Sequence, residues 1–322
     1  MTNQEMNEKI NQIITDFLFP LKKHENSKEE LAALTLLLRG FVTCNNDSIE
    51  KRPFLLTGIN PSFGPYKGEW KFFPGEYDEP FTFRGAISDS KPQDYWGKKR
   101  KQFGYDQKRK QFSDDLCKTM AYLDLFPIRE SDQRLFEQVF KNPKLTKLRA
   151  DILSITQDAI EAMAPRLIVH ANRQSMYYWG VKPAQEADVD ANDYEHPWMG
   201  YKVKRVVKDL SKFSSKEHLV EIKKLPDCMT EERLKKFPLY KIIGYIDNSE
   251  RINYKRKSTS LEGCFLMEYV MEYRNKEDRD KMYKYTEYPG LYIIEDIFGS
   301  KKEIKPVDWD KYSQLFPRKY FK

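Results

Sequence analysis

The 322-residue sequence is poor in the residues that staple a fold or bind metal. Its four cysteines, Cys44, Cys117, Cys228 and Cys264, lie far apart and form no Cys-x-x-Cys pair. That spacing speaks against a disulfide framework or a structural zinc site and fits free thiols in a reducing compartment. The four histidines, at 24, 170, 196 and 218, show no metal-ligand spacing either, so no metal and no other cofactor is expected. Long apolar runs are also missing. The longest lies near Leu31 to Leu38 and is too short to span a bilayer. The start, Met-Thr-Asn-Gln-Glu-Met, lacks the basic and apolar regions of a secretory signal. A cytoplasmic monomer without a membrane partner is the expectation.

What is present is apolar and aromatic enough for a sizeable core. Hydrophobic residues make up 40% and aromatics 14%, which argues against global disorder even with 33% charged residues. Net charge is +7, and its distribution is uneven. Between Lys91 and Phe112, eight basic residues (Lys91, Lys98, Lys99, Arg100, Lys101, Lys108, Arg109 and Lys110) face only Asp94 and Asp106. Tyr95, Trp96, Phe103 and Tyr105 are interleaved with them. A solvated loop is the plain reading; phosphate contact with base stacking is the functional one, and it makes DNA the candidate partner.

Residues 3–18 carry Met6, Ile10, Ile13, Ile14 and Phe17 at helical spacing, with Pro20 as the stop. Ser27 and Glu30 form a capping-box pattern ahead of Leu31, Leu34, Leu38 and Phe41. Phe54, Leu55 and Leu56 then read as a buried strand running into a turn, Gly58-Ile-Asn-Pro-Ser-Phe-Gly64. Asn60 and Pro61 could simply shape that turn, yet a carboxamide at a strand's carboxyl end can also orient a water or a ligand. Residues 65–111 show no sustained period, as functional or mobile segments do. Phe112, Leu116, Met120 and Leu123 are spaced as a helix leading into Tyr122-Leu-Asp-Leu-Phe-Pro127. That stretch resembles the first strand and turn: apolar residues, a polar group at Asp124, then a proline. A short helix from Asp132 to Phe140 and a longer one through Leu148, Ile152, Ile155, Ala159 and Met163 follow. Arg166 to Ala171 reads as a strand, and Asn172 as the cap of a helix through Tyr178 and Trp179.

Strands alternating with helices predict an α/β fold with a parallel sheet and helices on both faces. Asn60, Asp124, His170 and Asn172 would then share one sheet edge, where open α/β sheets place ligands. Beyond about residue 181 the stretches 202–207, 219–222, 240–246 and 264–270 look like strands, and 277–285 like a helix. They are either the sheet's remaining strands with insertions or a separate β-rich extension.

The turn Gly58 to Gly64 resembles the first motif of the uracil-DNA glycosylase superfamily. It is nearest the mismatch-specific and single-strand-selective monofunctional branches. Phe73, thirteen residues after Asn60, falls where the single-strand-selective branch has an aromatic that stacks on the extruded base. Asp124 stands where that branch has an asparagine that reads the base edge. The likeness covers roughly residues 50–180, about half of the chain. It implies a three-layer α/β/α domain over residues 1–200, with a C-terminal α+β extension over 201–322. It further implies base flipping, with Asn60 positioning water, Phe73 stacking, Asp124 reading the base, and Ile59 and Ser62 lining the pocket. His196, in the chain's only His-Pro, falls about where the family has a histidine that stabilises the departing base. Ser62 replaces a glycine of the motif. An ionised Asp124 only accepts hydrogen bonds, which suits an amino-bearing edge such as cytosine's and implies altered base choice. The expected function is base excision from DNA by hydrolysis of an N-glycosidic bond. The alternatives are a catalytically inactive nucleic-acid-binding protein on the same fold, or an enzyme acting on a free nucleoside or nucleotide.

Overall fold

A computed structural model describes residues 1–21, 27–43, 49–61, 120–130, 133–140, 142–170, 173–181, 198–223, 225, 230–236, 238–246 and 256–268. The elements are helix α1 (Asn3–Leu21), α2 (Lys28–Leu38), strand β1 (Phe54–Thr57), β2 (Met120–Tyr122), α3 (Gln133–Phe140) and α4 (Thr146–Met163). They continue with β3 (Leu167–His170), α5 (Arg173–Tyr177), β4 (Tyr201–Val207), β5 (Leu219–Glu221), α6 (Glu231–Lys236), β6 (Leu239–Tyr245) and β7 (Phe265–Glu268). The seven strands form one sheet in the order β2-β1-β3-β7-β6-β4-β5.

Local sequence explains the helices well. Met6, Ile10, Ile14 and Leu18 repeat every four residues along α1 and are buried together. Pro20 falls inside the last turn, and α1 ends one residue beyond it rather than before it. The capping box of α2 forms as its sequence predicts: Ser27 Oγ accepts from Glu30 N, and Ser27 N donates to Glu30 Oε2 at 2.8 Å. Helix α4 closes on Ala164, a left-handed residue at φ 45°, just ahead of Pro165.

The sheet is buried on both faces at its centre, since all four residues of β1 and of β3 are buried. Leu55, Ala121, Ile168, Leu266 and Ile242 point to one side and join α1, α2 and α4 in the main core. Phe54, Leu56, Leu167, Val169 and Met267 alternate with them and are buried as well. The period of two explains both sets.

Two expectations need correction, and one open alternative is decided. Met120 belongs to strand β2, not to a helix, and pairs in parallel with Phe54 of β1. Tertiary pairing has overridden a helical spacing of apolar residues there. The sheet is mixed rather than wholly parallel, because β6 runs antiparallel to both β4 and β7. The connection from β6 to β7 starts and finishes at the same sheet edge, so it needs no crossover helix. Of the two readings for the later chain, the strands beyond residue 200 are the sheet's own: β7 pairs in parallel with β3 at its centre. The expected helix at 277–285 lies outside the described residues.

Candidate functional site

Parallel pairing brings the carboxyl ends of β1, β2, β3 and β7 to one edge. Thr57 pairs with His170 and His170 with Glu268, so three strands end in register. The hydrogen bonding between β1 and β2 continues past the strands into their loops. Leu123 N donates to Leu56 O at 3.2 Å, Leu125 N to Gly58 O at 2.9 Å, Phe126 N to Ile59 O at 2.9 Å and Glu130 N to Pro61 O at 3.0 Å. Thr57 Oγ1 donates to Leu123 O at 2.7 Å. The loop carrying Asn60 is thus zipped to the loop carrying Asp124.

Asn60 sits at the end of that zipper, 8% exposed. Its Nδ2 donates to three backbone carbonyls: Glu130 O at 2.7 Å, Pro61 O at 3.1 Å and Ile128 O at 3.2 Å. Three carbonyl oxygens tolerate only the NH2 end of the carboxamide, so its orientation is dictated. The opposite end, Oδ1, is buried and accepts no hydrogen bond. An acceptor kept dry and unpaired costs stability, and such a group in a native fold asks for a reason.

The carbonyls that hold Asn60 are themselves held from behind. Arg39, the C-cap of α2, pairs with Glu130 at 2.5 Å, both side chains being buried. Phe41 bridges Ile128, and Val42 N donates to Pro127 O at 2.9 Å. Thr156 Oγ1 of α4 donates to Leu125 O at 2.9 Å.

His170, at the end of β3, is fully buried. Its Nδ1 lies 2.8 Å from Ser175 Oγ, and its Nε2 has no partner among the described residues. The Trp179 ring meets it edge-on at 5.5 Å, with its own Nε1 unpartnered. Burial pushes the imidazole down to about 3, so His170 is neutral at physiological pH. It offers one ring nitrogen but no cation.

The structure therefore brings together Asn60 and the half-buried Asp124 on adjacent zipped loops, with His170 on the neighbouring strand. The side chain of Ile59 packs in the main core, and its carbonyl is taken by Phe126. Ser62, Phe73, Asn172, His196 and the basic residues Lys98, Lys99, Arg100, Lys101, Lys108, Arg109 and Lys110 lie outside the described residues. Trp198, two residues after His196, is anchored against this region. The Arg149 guanidinium sits 4.5 Å from its ring centre, and Tyr178 meets it at 5.7 Å. Tyr178 in turn meets Phe126, two residues after Asp124, edge-on at 4.9 Å.

Sequence reasoning missed Ser175, Arg39 and Glu130. A hydroxyl five residues after His170 was a weak signal, and a lone arginine ending the apolar run of α2 was another; Glu130 gave none. Among the described residues, no group of three or more His, Cys, Asp or Glu could hold a metal ion, and no helix is long and apolar enough to cross a membrane. No protein-family model and no curated protein matches the sequence, and no solved structure matches the fold.

Proposed function

We propose that this protein excises a base from DNA by hydrolysing an N-glycosidic bond, at the sheet edge formed by the loops after β1 and β2. The observation that carries the reading is Asn60. Its amide nitrogen is spent on three carbonyls, which aims a buried, unpaired Oδ1 away from the loop. A fixed acceptor of this kind can accept a hydrogen bond from the attacking water and so turn the water's lone pair toward the sugar carbon. Asp124 on the zipped neighbouring loop would read the base edge as an acceptor. By the same resemblance, His196 would serve the departing base.

The decisive experiment is a panel of labelled oligonucleotides carrying uracil, thymine, cytosine or damaged bases, single- and double-stranded. The expected result is release of a free base, reduced at least ~100-fold in Asn60→Ala, the scale for losing a positioned transition-state contact. Absence of release from every substrate by the wild-type protein sinks the reading.

One observation favours the second reading, a non-catalytic nucleic-acid-binding protein. His170, the histidine that the described residues place at this edge, is neutral and cannot supply a positive charge to a departing base. In that case binding is strongly salt-dependent and no base is released.

A further inference from the structure

The second half of the sheet carries charge where a sheet normally avoids it. In β4, Tyr201 and Arg205 point to the face covered by helices: Tyr201 donates to Glu161 of α4, and Arg205 to Leu234 O of α6. Lys202 and Lys204 alternate with them and therefore occupy the opposite face. Lys204 is the direct antiparallel partner of Lys241 in β6, and Lys241 is the partner of Phe265 in β7. Lysines directly opposite one another repel, and cross-strand positions usually pair unlike charges. Among the described residues no compensating acid pairs with them. None of Lys202, Lys204 and Lys241 forms an ion pair with a described residue, although Lys241 Nζ lies 5.7 Å from the centre of the Phe265 ring. Lys202 is exposed, and Lys204, Lys241 and Phe265 are half-exposed, so the row is accessible.

We propose that this row is a docking surface for the phosphate backbone of a nucleic acid. Lys204, Lys241 and Phe265 lie in a row across three neighbouring strands, about 4.8 Å apart from strand to strand, and Lys202 flanks the row roughly 7 Å from Lys204 along β4. Cations spread over a flat sheet face fit a repeating polyanion better than a single small anion, which a pocket would enclose. The half-exposed Phe265 at the end of the row adds a ring on which a base can stack. A membrane surface fits less well, because the exposed large apolar side chains among the described residues are Phe19 and Tyr177, and neither lies in the row. An anionic partner also accounts for the like-charge pair, whose repulsion it relieves on binding. The inference deepens the proposed function by giving the nucleic acid a second contact, and rests only on a nucleic-acid partner, not on hydrolysis.

The test is fluorescence anisotropy of the full chain with labelled mixed-sequence single-stranded and duplex DNA, from about 50 to 200 mM salt, where phosphate contacts respond most clearly. The K204Q/K241Q variant is expected to lose roughly 10-fold in affinity, and its log Kd against log salt slope to shrink by about 1.5. K204R/K241R should bind like the wild type. Unchanged affinity and slope in K204Q/K241Q overturn the proposal. Equal loss in the arginine pair overturns it too, because that marks a packing role. Lysine-dependent binding to phosphatidylserine vesicles without DNA binding assigns the row to membranes and likewise overturns it. Lysine-dependent DNA binding without release of any base upholds the docking surface and removes only the hydrolytic reading.

Discussion

The two ends of the sheet treat buried polar groups in opposite ways. At the amino end of β4 and β7, Glu161 of α4 is saturated. Its Oε1 accepts from Tyr201 Oη at 2.8 Å, Tyr245 Oη at 2.7 Å and Thr259 Oγ1 at 2.6 Å. Its Oε2 accepts from Ser260 N at 2.7 Å and Ser260 Oγ at 2.6 Å. Burial works to raise its pKa, but the hydrogen bonds from Ser260, Thr259, Tyr245 and Tyr201 outweigh it and hold the carboxylate below its ordinary range. At the carboxyl end, Asn60 and His170 each keep one heteroatom without a partner among the described residues. A polar network with every lone pair used stitches helix to sheet. One left incomplete is poised for something to complete it.

That contrast makes Glu161→Ala the most damaging substitution for stability. It removes the acceptor of five donors on four residues, Tyr201, Tyr245, Thr259 and Ser260, and should cost roughly 3 kcal/mol or more in urea unfolding. Asn60→Ala should cost less, about 1–2 kcal/mol: it takes one donor from the carbonyls of Pro61, Ile128 and Glu130, but it also removes an unpaired acceptor. Equal losses at the two positions would erase the distinction between a structural and a functional polar group.

The two ends should also separate on acidification. His170 titrates near 6.5 when unfolded but only at about 3 when folded, so the unfolded chain binds the extra proton first. Stability therefore falls as pH drops from about 6.5 toward 3, with a limiting slope of about 1.4 kcal/mol per pH unit. Glu161, with its folded pKa depressed, contributes stability above its unfolded pKa and loses it as pH falls further, so its onset lies in more acidic solution. Unfolding followed across pH should show the first onset vanish in His170→Asn while the second survives. A His170→Asn profile that overlays the wild type would remove the imidazole from this account.

Much of the architecture was legible because helices and buried strands advertise themselves through period. The four-residue repeat of α1, the capping box of α2 and the apolar run of β1 are local patterns, and the fold obeys them. Strand β2 was legible only in part. Tyr122 to Phe126 reads as an apolar strand ending at a polar group, but the paired residues are Met120–Tyr122, because three residues that pair only with a distant β1 leave no period to fix their bounds. The antiparallel sense of β6 was hidden for a similar reason: the direction of a strand depends on the connection outside it. At the site, Asn60 was readable as a polar group ending a strand. The carbonyls of Ile128 and Glu130 that fix it were not, since backbone acceptors carry no residue signature.

Smaller effects sharpen the account of how the two ends are joined. Gly180, between α5 and β4, has φ 79°, and a Cβ there would sit 3.3 Å from the Tyr201 carbonyl. Gly180→Ala should cost about 1–2 kcal/mol, read as a lower midpoint in urea with an unchanged slope. Ala164 is the reverse case, a side chain at φ 45° where α4 closes. Ala164→Gly should gain about 0.5–1 kcal/mol by the same measurement.

The place of β7 in the sheet has a consequence for how the chain assembles. The strand that sits between β3 and β6 lies almost a hundred residues after β3 in sequence. Until residues 265–268 arrive, β3 presents a bare, strongly apolar edge, and β6 lacks the neighbour that joins β4 and β5 to the rest. During synthesis the first three strands can pair early, but the sheet closes only when this late segment is inserted between two waiting edges. The step is long-range and therefore slow, and it makes the unfinished sheet the species most prone to pair with a second chain.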